Sequence, residues 1–110
     1  MTFRLRFLTI LLLLTLPAFL FAADGQTLFR ENCKVCHGKG SKNGVYTPMS
    51  FTQDQWRRFF ATKLVPSHKS AIHPVTHKNL LEGLTPAEMK ALQNFAVDHA
   101  ADSEQPATCG

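Results

Sequence analysis

Apolar positions fall into two different patterns along the chain. From Phe7 to Ala23 they form a nearly unbroken run behind Arg4 and Arg6. From Asp24 onward they recur at helical spacing, and no stretch alternates as a half-buried strand does. Asp24 is an acceptable N-cap for a first helix that buries Leu28 and Phe29 and stops at "HGKGSKNG", where glycines and an Asn-Gly pair favour a turn. A middle helix is punctuated by Thr52 as N-cap and Gln55 as its capping-box partner. Phe51 and Trp56 then stand at the N′ and N4 positions of a hydrophobic staple, and Trp56, Phe59 and Phe60 share one face. A last helix opens at "LTPAEM" with Thr85 as N-cap, Pro86 at N1 and Glu88 at N3, and it carries Met89, Leu92, Phe95, Ala96 and His99 on one side. The expectation is an all-α domain.

The N-terminal run has the layout of a secretory signal, with a charged n-region, an apolar h-region and small residues at Ala22 and Ala23. Residues 1–22 are therefore expected to be a signal peptide, with an uncleaved membrane anchor as the rival, since a span needs roughly 17 to 25 residues. Of 110 residues, removing 22 leaves 88, read as one domain over 23–110 whose last ten or so residues form a polar tail. That length supports a thin core, which a covalent cofactor would reinforce. Twelve basic residues less Arg4 and Arg6 leave ten against eight acidic ones, a charge of +2. The charges are scattered, so nucleic-acid binding has little support, and no stable membrane insertion is expected after cleavage.

The densest chemistry is in "FRENCKVCHGKG", where Cys33, Cys36 and His37 form Cys-x-x-Cys-His. A structural zinc site needs four Cys or His ligands, and here the third cysteine, Cys109, stands alone near the end of the chain. A thioredoxin-like dithiol needs a strand-to-helix junction, and no strand run is present. Haem attachment requires two thiols spaced for the two vinyl groups of one porphyrin and an adjacent imidazole for its iron. That reading makes Cys33 and Cys36 the covalent anchors and His37 the proximal ligand of one haem c. The face of Trp56, Phe59 and Phe60 then serves as ordinary core, as a wall of the haem pocket, or as both.

At these residues the chain resembles a small class I, monohaem cytochrome c, and the resemblance extends in layout over nearly all of 23–110. It implies an all-α fold with crossed first and last helices and a haem held between loops. Family members commonly present a methionine followed by proline as the sixth iron ligand, in the loop before the last helix. This sequence departs from that pattern. Met49 lies in "YTPMS", which the resemblance puts near the proximal side, and Met89 lies within the last helix. The expected loop reads "VPSHKSAIHPVTHKN" and holds His68, His73 and His77. A bis-histidine iron follows, with a surface histidine cluster as the alternative. His68 is the first choice because it follows closely on a helix. His73 precedes Pro74 and is second, and His77 is third.

Two imidazoles give a lower potential than histidine with methionine. The sequence is accordingly expected to encode a low-potential periplasmic electron carrier, not an enzyme, that meets redox partner proteins. Lys34, Lys39 and Lys42 beside the motif either steer an acidic partner or simply solvate a loop. The alternative is a five-coordinate haem protein that binds or senses a small gas. His99 is expected to be a satisfied histidine at the helix interface, and Cys109 is a free thiol, an intermolecular link or part of a disordered end.

Overall fold

The computed structural model describes residues 23–107, so the signal-peptide reading and Cys109 lie outside the described residues. Among those residues the fold is helical, with one isolated antiparallel bridge between Ile72 and Asn79. Helix α1 (Gly25–Phe29) runs into a π-helical stretch, Arg30–Lys34, and then into α2 (Val35–His37). A 3₁₀ turn, Pro48–Ser50, precedes α3 (Gln53–Thr62) and α4 (Leu64–Ser67). Helix α5 (Pro86–Asp98) closes the fold. No helix among the described residues is long and apolar enough to cross a membrane.

The helix starts follow the local chemistry of the chain. Asp24 accepts from Thr27 N at 2.8 Å, and these hydrogen bonds hold its carboxyl below the ordinary 3.8. Thr52 with Gln55 and Thr85 with Glu88 form reciprocal capping boxes, each satisfying two donors that a helix start leaves free. The staple is present too, with the Phe51 and Trp56 rings 4.9 Å apart and near-perpendicular.

These elements pack α1 and α3 against α5 around Leu28, Phe29, Trp56, Leu92, Ala96, Val97 and Ala100. The crossing of α1 and α5 is close at Gly25, where an added Cβ would lie 2.6 Å from both the Ala91 carbonyl oxygen and Phe95 Cβ. A backbone oxygen cannot rotate away, so the two helices would have to separate. Gly25→Ala is expected to destabilise the domain by about 2 kcal/mol, a typical overpacking cost. In a domain of this size that lowers the melting temperature by on the order of 10 °C. Gly83→Ala is the control, because a Cβ there meets only ordinary contacts, the nearest at 3.5 Å. Equal melting temperatures for the two variants would refute a tight crossing.

Three features depart from the sequence expectation. The first helix contains a π-helical stretch, with Asn32 Nδ2 donating to the Leu28 carbonyl at 3.0 Å. The segment after α3, expected to be loop, makes the extra turn α4; Pro66 is its third residue, where a missing N–H leaves no bond unmade. The polar segment after α5 is tied back onto the fold. Ala101 N donates to the Phe51 carbonyl at 3.1 Å, and Asp102 Oδ1 accepts from Gln53 N at 2.8 Å at the start of α3.

Candidate functional site

The π-helical stretch carries Cys33, and the turn that follows carries Cys36 and His37, all three half-buried. π-helical insertions recur at functional sites because the extra residue re-aims the side chains that follow it. Beyond Gly38 the chain loops back, and Tyr46 N donates to the His37 carbonyl at 3.0 Å. Gly40 and Gly44 hold φ of 81° and 88° in this loop, the left-handed region that favours glycine. Ser41 Oγ donates to the Cys36 carbonyl. The loop also places the Gly44 carbonyl 3.1 Å from His37 Nδ1. A carbonyl only accepts, so Nδ1 bears the proton and Nε2 keeps its lone pair.

A second histidine lies close to the first. His68 follows α4 directly, and its Nδ1 lies 2.8 Å from the Leu64 carbonyl and 2.9 Å from Ser67 Oγ. The same logic puts the proton on Nδ1 and the lone pair on Nε2. Ser67 Oγ in turn donates to the Lys63 carbonyl at 2.6 Å, which leaves its oxygen free to accept from His68. The His37 and His68 ring centres are 6.1 Å apart with planes at 73°, and among the described residues neither Nε2 has a hydrogen-bond partner.

One cavity holds both rings and both cysteines. Tyr46, Phe51, Trp56, Phe59 and Phe60 form its aromatic wall, with Phe29 and Leu80 at its sides. The wall is continuous: Tyr46 lies 5.0 Å from His37, Phe51 stacks on Tyr46 at 5.9 Å and on Phe59 at 6.2 Å, and Phe59 lies 6.4 Å from His68. Trp56 is anchored by Nε1, which donates to the Pro48 carbonyl at 2.8 Å. Burial, and secondarily the neighbouring Cys36, pushes the Cys33 thiol up from 9.0 to about 12. A redox dithiol needs a thiol poised as thiolate, and Cys33 is the reverse. Among the described residues no three Cys, His, Asp or Glu side chains converge as a metal-binding cluster, so the zinc reading finds no ligand set there.

The remaining sequence candidates lie elsewhere. His73 uses both ring nitrogens in hydrogen bonds, and exposed His77 sits in a left-handed turn with φ of 58°. Met49 is exposed in a separate cleft beside Gln26, Arg30 and Lys34. Met89 is half-buried within α5. His99 caps the end of α5 with its ring tilted against Phe95 at 4.7 Å, and its Nδ1 donates to the Gln105 carbonyl at 2.8 Å.

The profile of the family described as Cytochrome c matches residues 22–99. The chain belongs to the cytochrome c family. It is a small c-type cytochrome, a haem-binding electron-transfer protein, and its cofactor is one covalently bound haem c with iron. Members of the family are generally electron carriers and work with redox partner proteins. Neither the curated proteins nor the solved structures include a significant match to the cytochrome. The cavity fits the cofactor: it combines two thiols at attachment spacing, apolar aromatic walls, and two imidazoles whose unprotonated nitrogens are left for a metal.

Sequence reasoning did not single out Tyr46, Asn32, Ser67 or Leu80 as cavity residues. Ser67 was legible as the neighbour of His68, but its role depends on α4, which the sequence pattern does not announce.

Proposed function

We propose that the cytochrome is a monohaem electron carrier with a bis-histidine iron at the low end of the family's potential range. Cys33 and Cys36 hold the haem through thioethers, His37 is the proximal ligand and His68 is the sixth. The observation that carries this reading is the pair of imidazoles that line the cavity of the two cysteines with ring centres 6.1 Å apart, each with Nδ1 tied to a main-chain carbonyl and, among the described residues, no partner on Nε2. Haem iron supplies reversible one-electron chemistry between ferrous and ferric states.

The chain's own residues perform the remaining tasks. The carbonyls of Gly44 and Leu64 orient the two rings and raise their basicity, as outer partners of metal-bound histidines generally do. The rings of the aromatic wall pack on one another and on both histidines, so they line the cofactor with apolar surface. No chemical substrate is transformed. Residues 1–22 direct export, 23–110 form the working domain, and the site of action is the periplasm. Exposed Lys34, Lys39 and Lys42 beside the attachment turn favour partners with an acidic face.

Visible spectra of the exported holoprotein, oxidised, reduced, and reduced under carbon monoxide, together with a redox titration, test the reading. The expected result is a sharp low-spin reduced spectrum indifferent to carbon monoxide, no ferric sulfur-to-iron charge-transfer band, and a low midpoint. Prompt carbon monoxide uptake would replace it with the gas-binding alternative. A strongly positive midpoint would remove the low-potential assignment.

A further inference from the structure

His73 is bonded on both sides of its ring. Its Nε2 lies 2.8 Å from the Glu31 carbonyl, 42 positions away in the π-helical stretch of the attachment helix. Its Nδ1 accepts from Val75 N at 3.1 Å and Thr76 N at 3.2 Å. Carbonyls only accept and amides only donate, so these three partners fix the neutral ring with its proton on Nε2. No lone pair remains for iron.

The surrounding segment is internally closed. His73 N donates to the Lys78 carbonyl at 2.8 Å, Leu80 N to Ala71 at 2.9 Å, and Asn79 Nδ2 to Lys69 at 2.9 Å. The apolar side chains Ile72 and Val75 are both exposed, so the tip contributes little apolar anchoring. Both ends of the segment line the haem cavity, through His68 and Leu80. Among the described residues, the bond from His73 to Glu31 is the one hydrogen bond that joins this loop to the attachment helix.

We infer that His73 is a positioning residue: a clasp that locks the ligand-bearing loop onto the helix carrying Cys33, Cys36 and His37, and so keeps His68 opposite His37. The inference rests on the reading of His68 as the sixth ligand. The loop closes on itself and backs His68 through the bond from Ala71 N to its carbonyl, so losing the bond to Glu31 frees the loop from the attachment helix and leaves His68 restrained by α4 alone.

Two conservative variants of the holoprotein separate the roles of the two ring nitrogens. In His73→Gln a terminal N–H at similar reach still donates to Glu31, whereas the acceptor for Val75 and Thr76 is lost. In His73→Asn an acceptor remains near the position of Nδ1, but the reach to Glu31 is gone. Carbon monoxide association with the ferrous protein and amide exchange across Lys69–Asn79 are measured in both. The wild type and His73→Gln are expected to resist carbon monoxide. His73→Asn is expected to take it up about tenfold faster and to exchange its loop amides faster by a similar factor, the scale of one hydrogen bond. An Asn variant as inert as the Gln variant would overturn the clasp. Prompt uptake by the wild type would overturn the bis-histidine reading instead. Amide exchange then decides the clasp separately: faster exchange in Asn than in Gln retains it, and equal exchange removes it.

Discussion

Replacing His68 by alanine is expected to convert a ferrous cytochrome that ignores carbon monoxide into one that binds it within seconds, with a high-spin contribution to its ferric spectrum. His68 lines the cavity opposite His37, and its Nε2 is the unpartnered nitrogen on that side. Alanine removes the donor without touching His37 or the cysteines. His68→Met supplies a thioether in place of the imidazole, and methionine ligation raises the potential. The midpoint is expected to rise by on the order of 0.1 V or more, a fraction of the roughly 0.8 V that axial ligands span. His77→Ala is the matched control, since exposed His77 lines no part of the cavity. If His68→Ala keeps the wild-type spectrum while His77→Ala gains carbon monoxide binding, the ligand assignment is wrong.

The contrast among these histidines shows what the sequence could convey. Thr52 with Gln55 and Thr85 with Glu88 were legible because a capping box is built from residues three apart. The staple of Phe51 on Trp56 and the inward stripe of Leu92 and Ala96 were legible for the same reason: helical periodicity is local. Cys-x-x-Cys-His, the proposed attachment site, could be picked out because its residues are adjacent in the chain. His68 could be put first among the three histidines from its place just after a helix, but the hydrogen bonds that hold His68 and His73 could not be read. His68 is aimed by α4, a four-residue helix with no periodic signature, and His73 is engaged by a carbonyl 42 residues earlier. The π-helical stretch was equally hidden, since "RENCK" reads as ordinary helix. Gly25 carries its meaning only once Ala91 and Phe95 are known to cross it. The polar segment after α5 looked like a loose end, yet it contributes Asp102 to the start of α3.

With Cys33 and Cys36 both changed to alanine, the cytochrome is expected to retain no haem through denaturing electrophoresis and to lose much of its stability. The first effect follows from the proposed anchors: both thiols are on one turn of the attachment helix and both line the cavity. The second follows from the size of the core. Among the described residues the buried ones are Leu28, Phe29, Pro48, Trp56 and a few small or aliphatic residues of the closing segment, and the large aromatics Phe51, Phe59 and Phe60 are only partly covered. Those rings face the cavity, so the cofactor completes the apolar interior, and a ligand bound only by the folded state stabilises it by mass action. A ligand at 1,000 times its dissociation constant contributes about 4.1 kcal/mol, and a tethered haem that enters the cavity only in the folded state acts as such a ligand at high effective concentration. At about 4–8 °C per kcal/mol the double variant is expected to melt at least about 15 °C lower, followed by helical circular dichroism. The single variants separate the two contributions: each keeps one thioether, so each should retain stainable haem while melting between the wild type and the double variant. A double variant that still carries covalent haem would move the attachment elsewhere in the chain. One that loses the haem but melts as the wild type does would mean that the seven residues of the core cluster suffice, and that Phe51, Phe59 and Phe60 shape the site without the fold depending on what they enclose.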